Sequence, residues 1–335
     1  MKVLLTGAGG FLGKRIALSL IDKGATGLRL HYRQKPPDAT LTALAARAPN
    51  LVVEGAAANL LARGSLDSMV QGVDCIVHAA AGMRGAAADM FANSVIGTRN
   101  LLEAACAAPV RRIVLISSFA VYRTEPLDKG ALLGETTPTE EVGANKGPYG
   151  YAKTRQEQLF LEFQREHGFE SVILRPGVIY GPASSALSPR VGINAMGLFF
   201  SLGGSATLPL TYVDNCADAV AQATLSAPPG SVFNVVDDDL PSCREYLNLY
   251  RRQVRAMKTL PIPYWMLLQG SRLLERYHRV SKGQLPAVFT PYVVRSMYRP
   301  LRYDNAALKA IGWRQGVATA QAIELTLRTW REQKT

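Results

Sequence analysis

Lys2-Val3-Leu4-Leu5-Thr6-Gly7-Ala8-Gly9-Gly10-Phe11-Leu12-Gly13 decides how this chain folds. Its start is a short apolar, β-prone run. After the glycines a helical pattern extends from Lys14 to Lys23, with Ile16, Ala17, Leu20 and Ile21 on one face and Gly24 closing it. Strand, glycine turn and helix in this order form a cradle for a dinucleotide pyrophosphate. Gly7 permits the tight turn, Gly10 lets the backbone approach the phosphates and Gly13 lets the helix pack on the sheet. The helix N-terminus then faces the anion. The spacing is G-x-x-G-x-x-G rather than G-x-G-x-x-G, so its position at the first strand-to-helix turn carries the reading.

Further strands follow at intervals. Gly27-Leu28-Arg29-Leu30-His31-Tyr32-Arg33 is the second, and it ends in Arg33, with Lys35 close by, where an acidic residue would bind the adenosine ribose hydroxyl. Arginine there accepts a 2′-phosphate, which favours NADP over NAD. Leu51 to Glu54 reads as a third strand. Cys75-Ile76-Val77-His78 leads into the small residues Ala79, Ala80 and Ala81, which allow close approach of a ligand; His78 reads as a buried supporting residue. A long helical stretch, 86–108, precedes Arg112-Ile113-Val114-Leu115-Ile116, the continuous apolar run of a strand buried on both faces. It stops at Ser117-Ser118, and in open parallel sheets the chemistry gathers at such carboxyl ends. Ser171 to Arg175 is another buried strand. Short elements follow at Thr211–Asn215 and Val232–Val236, with helices over 217–226 and 243–257.

Gly147-Pro148-Tyr149-Gly150-Tyr151-Ala152-Lys153-Thr154-Arg155 opens a helix, since Gly147-Pro148 punctuates the loop before a good helical run. Tyr149 and Lys153 are four apart and share a face. An ammonium beside a phenol favours the phenolate, giving a proton donor and acceptor for an alcohol–ketone interconversion. Tyr151 has Arg155 at the same spacing, on another face and with a less compact cation.

The 335 residues suffice for two lobes, and no apolar run reaches the roughly 18–20 residues that span a bilayer. Cys75, Cys106, Cys216 and Cys243 have no metal-type spacing and read as reduced thiols in a cytoplasmic protein, with no metal expected. The net charge of +12 is concentrated: Arg244 to Arg302 holds twelve basic residues, Arg279 and Lys282 among them, against Glu245 and Glu275. No nucleic-acid recognition motif accompanies them, so nucleic acid is not expected as a partner.

In these motifs the chain resembles the extended short-chain dehydrogenase/reductases. The matches are Thr6-Gly7-x-x-Gly10-x-x-Gly13, Ile116-Ser117-Ser118-x-x-Val121-Tyr122, Tyr149-x-x-x-Lys153, Leu174-Arg175-Pro176-x-x-x-Tyr180-Gly181-Pro182, Tyr212-Val213-Asp214-Asn215 and Ile311-Gly312-Trp313. The resemblance implies a Rossmann-type doubly wound parallel α/β sheet. Residues 1–182 would bind the dinucleotide, and a smaller substrate-binding lobe, 183–335, would interleave with the last strands. It implies Tyr149 as acid/base, Lys153 as holder of the nicotinamide ribose and depressor of the tyrosine pKa, and Ser118, rather than Ser117, as partner of the substrate oxygen. Cofactor-binding residues would be Gly7, Gly10, Phe11, Leu12, Gly13, Arg33, Ala79, Ala80, Ala81, Lys153, Pro176 and Val178. Three departures stand out. Glu54-Gly55 is followed by Ala56 where relatives carry an Asp for the adenine amine. Ser94 holds the usual Asn place four before Thr98, with Asn93 shifted by one. Arg123 follows Tyr122 where glycine is common.

Arg175-Pro176-Gly177 looks like the form of hydroxysteroid- and flavonoid-reductase-like members, which implies a lipophilic alcohol or ketone. The alternatives are a sugar-nucleotide epimerase or dehydratase with tightly held NAD, and a dinucleotide-binding sensor or scaffold. The run Leu260 to Leu268, continued by Arg272, Leu273, Leu274, Arg276 and Tyr277, fits either a lid over the substrate or an amphipathic segment on an anionic bilayer. The expected assembly is a homodimer, cytoplasmic with a peripheral membrane contact through 260–280.

Overall fold

The computed structural model describes residues 1–34, 38–83, 85–184, 187–280 and 289–333, without the side chains of Ala144 and Arg279. Lys35 and Lys282 lie outside the described residues.

Seven strands form one sheet: β1 (Lys2–Thr6), β2 (Gly27–Tyr32), β3 (Val52–Ala57), β4 (Cys75–His78), β5 (Arg112–Ile116), β6 (Glu170–Pro176) and β7 (Ser231–Val235). Their order is β7-β6-β5-β4-β1-β2-β3, and every pair is parallel. This is the doubly wound α/β sheet. Strand order reverses beside β1, where Thr6 pairs with His78 of β4. A crevice must open there, because the crossovers on either side of it lead to opposite faces.

The helices are α1 (Phe11–Asp22), α2 (Asp38–Arg47), α3 (Gly97–Cys106), α4 (Gly147–His167), α5 (Val213–Ser226), α6 (Cys243–Gln253), α7 (Tyr264–Val280), α8 (Pro291–Tyr298) and α9 (Thr319–Glu332). On one face of the sheet Ile16 and Leu20 of α1 and Cys216, Val220 and Ala223 of α5 share a core with Leu5, Val77 and Val114. On the other, Leu101 and Ala105 of α3 and Phe160 of α4 pack on Leu4, Ile76 and Leu115. So α5 and β7, both from beyond residue 182, complete the sheet rather than standing apart from it.

Three elements differ from the sequence reading. Helix α1 begins at Phe11, so its first turn lies inside the glycine loop. The stretch 86–108 is broken by a π-helical turn at Ala92–Ile96, which displaces Asn93 and Ser94 from simple helical register. Strand β3 runs on to Ala57, three residues past Glu54.

Candidate active site

The glycine turn is built by contacts that admit no side chain. Gly7 has φ +71°, and a Cβ on Gly13 would stand 2.1 Å from the Gly7 carbonyl oxygen. The loop closes through the Gly10 amide, which donates to Gly7 O at 2.9 Å. Helix α1 therefore starts against β1, and its first-turn amides have no intrahelical acceptor. They open into a cleft of about 460 Å³. Gly7, Gly10, Phe11, Leu12, Gly13, Arg33, Ala79, Ala80, Ala81 and Lys153 all line it.

Among the described residues the lining contains the basic Arg33 and Lys153 and no Asp or Glu. Together with the side-chain-free glycine cradle, that donor set fits a dinucleotide with its phosphates against α1. Arg33 is steered onto the cleft wall by Asn93, whose side-chain oxygen accepts its guanidinium at 2.9 Å. The shifted Asn93 thus faces the cleft, while Ser94 accepts the Gly82 amide at 3.0 Å.

Three expectations are corrected here. Ala56 is not the residue that follows β3: the strand extends to Ala57, and Asn59 and Leu60 are what it delivers to the cleft wall. Neither residue was singled out in the sequence, because Glu54 appeared to end the strand. Pro176 does not reach either cleft wall. It ends β6; Ile179 reaches the dinucleotide cleft, whereas Val178, expected there with Pro176, lines only the neighbouring cavity, as Gly177 does. The Gly177 and Val178 amides are already committed, to Val235 O at 3.1 Å and Pro209 O at 2.6 Å.

A second cavity, of about 450 Å³, adjoins the first. Val178 and Ser118 line it, and Tyr149, Met83 and Ile179 belong to both cavities. Tyr149 thus stands where the two meet. Ser118 forms the N-cap of a short 3-10 turn, its hydroxyl accepting from Ala120 N at 3.2 Å, and it shares the second cavity with the Tyr149 phenol, whose pKa it lowers. Ser117 faces inward instead, donating to Glu157. That carboxylate also pairs with Arg175, which lies over the Tyr122 ring at 4.6 Å. Arg175 of the Leu174-Arg175-Pro176 signature therefore anchors the Tyr149 helix to β6. Tyr151 stacks on Phe91 and Arg155 bonds Gln158, which places that pair outside the site.

Burial raises the Tyr149 phenol, and Ser118 opposes the rise. The expected depression by Lys153 is not among the influences on it. The Lys153 ammonium donates to Ile116 O and to Gln156 Oε1, each at 2.8 Å, and its own pKa falls to about 8 through burial, with Glu157 opposing.

Behind Lys153 runs a buried chain of hydrogen bonds with one consistent direction. The Thr98 hydroxyl donates to Ser94 O, so its oxygen accepts from Gln156 Nε2 and from His78 Nε2, both at 2.8 Å. His78 Nδ1 then accepts from the Thr6 hydroxyl at 2.7 Å, and Thr6 accepts the Ala80 amide at 3.2 Å. Burial lowers His78 to about 3, which keeps it neutral, and its two hydroxyl partners set the tautomer. The lysine and the floor of the dinucleotide cleft are thereby one rigid unit.

Residues 3–235 match the NAD dependent epimerase/dehydratase family. The chain belongs to that family. A 2-alkyl-3-oxoalkanoate reductase of Stenotrophomonas maltophilia (strain K279a) is 32% identical over 249 residues, 69% of this chain and 67% of that protein. A 4-hydroxy-2-methyl-3-oxo-4-farnesyl-3,4-dihydroquinoline-1-oxide ketoreductase of Stigmatella aurantiaca is 28% identical over 337 residues, 97% of this chain and 95% of the other. Among solved structures, gox2253 superposes with TM-score 0.77 at 23% identity over 99% of this chain and 98% of its own. DesIV, a dTDP-glucose 4,6-dehydratase from Streptomyces venezuelae with NAD and TYD bound, gives TM-score 0.73 at 20% identity over 100% and 98%. At these identities the structural likeness shows the fold. As a member of this family, with relatives named as reductases and dehydratases, the chain is an oxidoreductase-type enzyme acting on CH–OH or C=O groups with a nicotinamide dinucleotide.

Proposed function

We propose that this enzyme reduces the ketone of a lipophilic 3-oxo substrate with NADPH, Tyr149 serving as the acid. The carrying observation is that Tyr149 is shared by the two cavities, with Ser118 beside it in the wall of the second. When bound, the dinucleotide supplies the hydride. The protein's part is to position and protonate. Ser118 holds the ketone oxygen beside Tyr149, and the phenol gives up its proton as charge develops there. Burial keeps that phenol protonated, the form that reduction requires. Lys153, a buried cation on the same helix face, has one N–H beyond those given to Ile116 O and Gln156 Oε1 to offer the ribose hydroxyls.

The second cavity supports the substrate class. Phe119, Val178, Ile179, Pro209, Val293 and Met297 give it an apolar wall. Arg190 adds a cation whose guanidinium donates to Met297 O at 3.0 Å, and no carboxylate among the described residues forms an ion pair with it. Lys146, in the same wall, pairs with Glu140 at 3.8 Å. An aliphatic 3-oxo acid matches an apolar wall that carries the Arg190 cation, and two of the relatives are named 2-alkyl-3-oxoalkanoate reductase. A hydroxysteroid shares the apolar part but offers Arg190 nothing.

NADPH is favoured because Arg33, the residue after β2, lies on the cleft wall, with no carboxylate among the described residues lining the cleft. The test is consumption of NADPH or NADH, followed by absorbance, with 2-alkyl-3-oxoalkanoates, hydroxysteroid ketones and sugar nucleotides. Stoichiometric oxidation with the first group is expected. A cofactor that copurifies and is never consumed, with turnover of a sugar nucleotide, would replace this reading with an epimerase or dehydratase.

A further inference from the structure

Helix α7 and the segment before it carry apolar side chains that the fold leaves uncovered. Trp265, Met266, Leu273, Leu274, Tyr277 and Val280 are 46–81% exposed. At 100° per residue Met266, Leu273, Leu274, Tyr277 and Val280 fall on one continuous face, and Arg272, Trp265 and Arg276 run along its border. The opposite face is the one that packs: Tyr264, Leu267 and Leu268 join Val294 and Tyr298 of α8 in a small core. The exposed stripe therefore belongs to neither the sheet core nor the substrate pocket. Of the lid and the amphipathic segment that the sequence left open for this stretch, the cavity lining does not favour the lid. Tyr292, Val293 and Met297 of α8 line the cavity, while none of the described residues of α7 does.

We propose that α7 is a docking helix for an anionic phospholipid bilayer, lying in the interface with its apolar face among the acyl chains. Charge complementarity selects this occupant. The apolar face is bordered by Arg272 and Arg276, and the chain just before it presents Arg251, Arg252, Arg255 and Lys258, all exposed. Apolar face, basic border and an exposed tryptophan are the pattern of an interfacial helix. A second copy of the chain is disfavoured by the same charges, since a two-fold contact through this face would set the arginine borders near one another. The helix is not a membrane span, because no helix among the described residues is long and apolar enough to cross a bilayer. Helix α8 stands between the substrate pocket and α7, with residues of one side on the cavity and of the other on α7.

The test is flotation of the full chain with vesicles of phosphatidylcholine alone and of phosphatidylcholine with phosphatidylglycerol, at low and high salt. Binding to the anionic vesicles is expected, at least tenfold weaker on neutral ones and weakened by salt. Trp265 is exposed whereas Trp313 and Trp330 are buried, so a blue shift of emission on binding reports this helix. Leu273→Asp with Tyr277→Asp, and separately Arg272→Glu with Arg276→Glu, should each abolish flotation. Both should leave NADPH oxidation with a water-soluble ketone unchanged, which shows that the variants are folded. No flotation at low salt, or flotation untouched by both double variants, would overturn the proposal. So would a native dimer that the Leu273/Tyr277 variant converts to monomer, because a second copy would then occupy the face.

Discussion

The Lys153 ammonium lies 2.8 Å from the side-chain oxygen of Gln156, one helical turn further along α4. Gln156 in turn donates to Thr98, and through His78 and Thr6 the chain of hydrogen bonds ends at the Ala80 amide in the cleft wall. Gln156 is thus a positioning residue for Lys153. Gln156→Leu removes a hydrogen bond to a charged group, worth about 1.5–3 kcal/mol, or roughly 10–100-fold in a rate that depends on it. The expected result is a fall of that order in kcat/KM, with the high-pH limb of the profile displaced. Unchanged kinetics and an unchanged profile would remove Gln156 from the site.

Burial lowers Lys153 to about 8, against the opposing pull of Glu157. For a base with a depressed pKa the charged form prevails below that value and is lost above it. Activity that needs the ammonium should therefore be full near neutrality and fall, towards tenfold per pH unit, as pH rises past about 8. Lys153→Arg keeps its charge throughout. It should be slower overall but free of this limb. A native profile that stays flat well above 8 would contradict the role given to Lys153.

Arg33 is held on the cleft wall by Asn93. Arg33→Asp replaces a cation beside the ribose 2′-position with a carboxylate that accepts a hydroxyl and repels a phosphate. The preference for NADPH over NADH should fall by at least about tenfold, mainly through KM for NADPH. Equal effects on both dinucleotides would place Arg33 elsewhere.

The buried pair Glu157–Arg175 ties the catalytic helix to β6, with side chains only 4% and 6% exposed. Removing one partner of a buried ion pair strands the other charge, at a cost of about 3–5 kcal/mol. Glu157→Ala also takes away the acceptor of Ser117. A loss of that size in denaturant-derived stability is expected; a change below about 1 kcal/mol would show that the pair contributes little.

Much of this was legible in the sequence because periodicity and punctuation coincide. The run Ile113 to Ile116 reads as a strand buried on both faces, and Gly7 and Gly13 sit where a positive φ or close packing admits no Cβ. Tyr149 and Lys153 could be paired by spacing alone. What escaped were residues placed by long-range packing. Asn59 and Leu60 were missed because β3 runs past the glycine that seemed to end it. Arg190, Lys146 and the α8 wall of the substrate pocket have no local signal, since they meet Tyr149 only through the tertiary fold. The direction of the Tyr149 shift was likewise beyond spacing: it depends on burial, which outweighs the opposing effect of Ser118.

Tyr149→Phe is the most direct test, because it deletes one oxygen and leaves the ring that lines both cavities. With NADPH and a 2-alkyl-3-oxoalkanoate, kcat should fall by about 10²–10⁴-fold, while NADPH binding, measured by fluorescence titration, should stay within about threefold of the native protein. A Phe variant that turns over at the native rate would contradict Tyr149 as the proton donor.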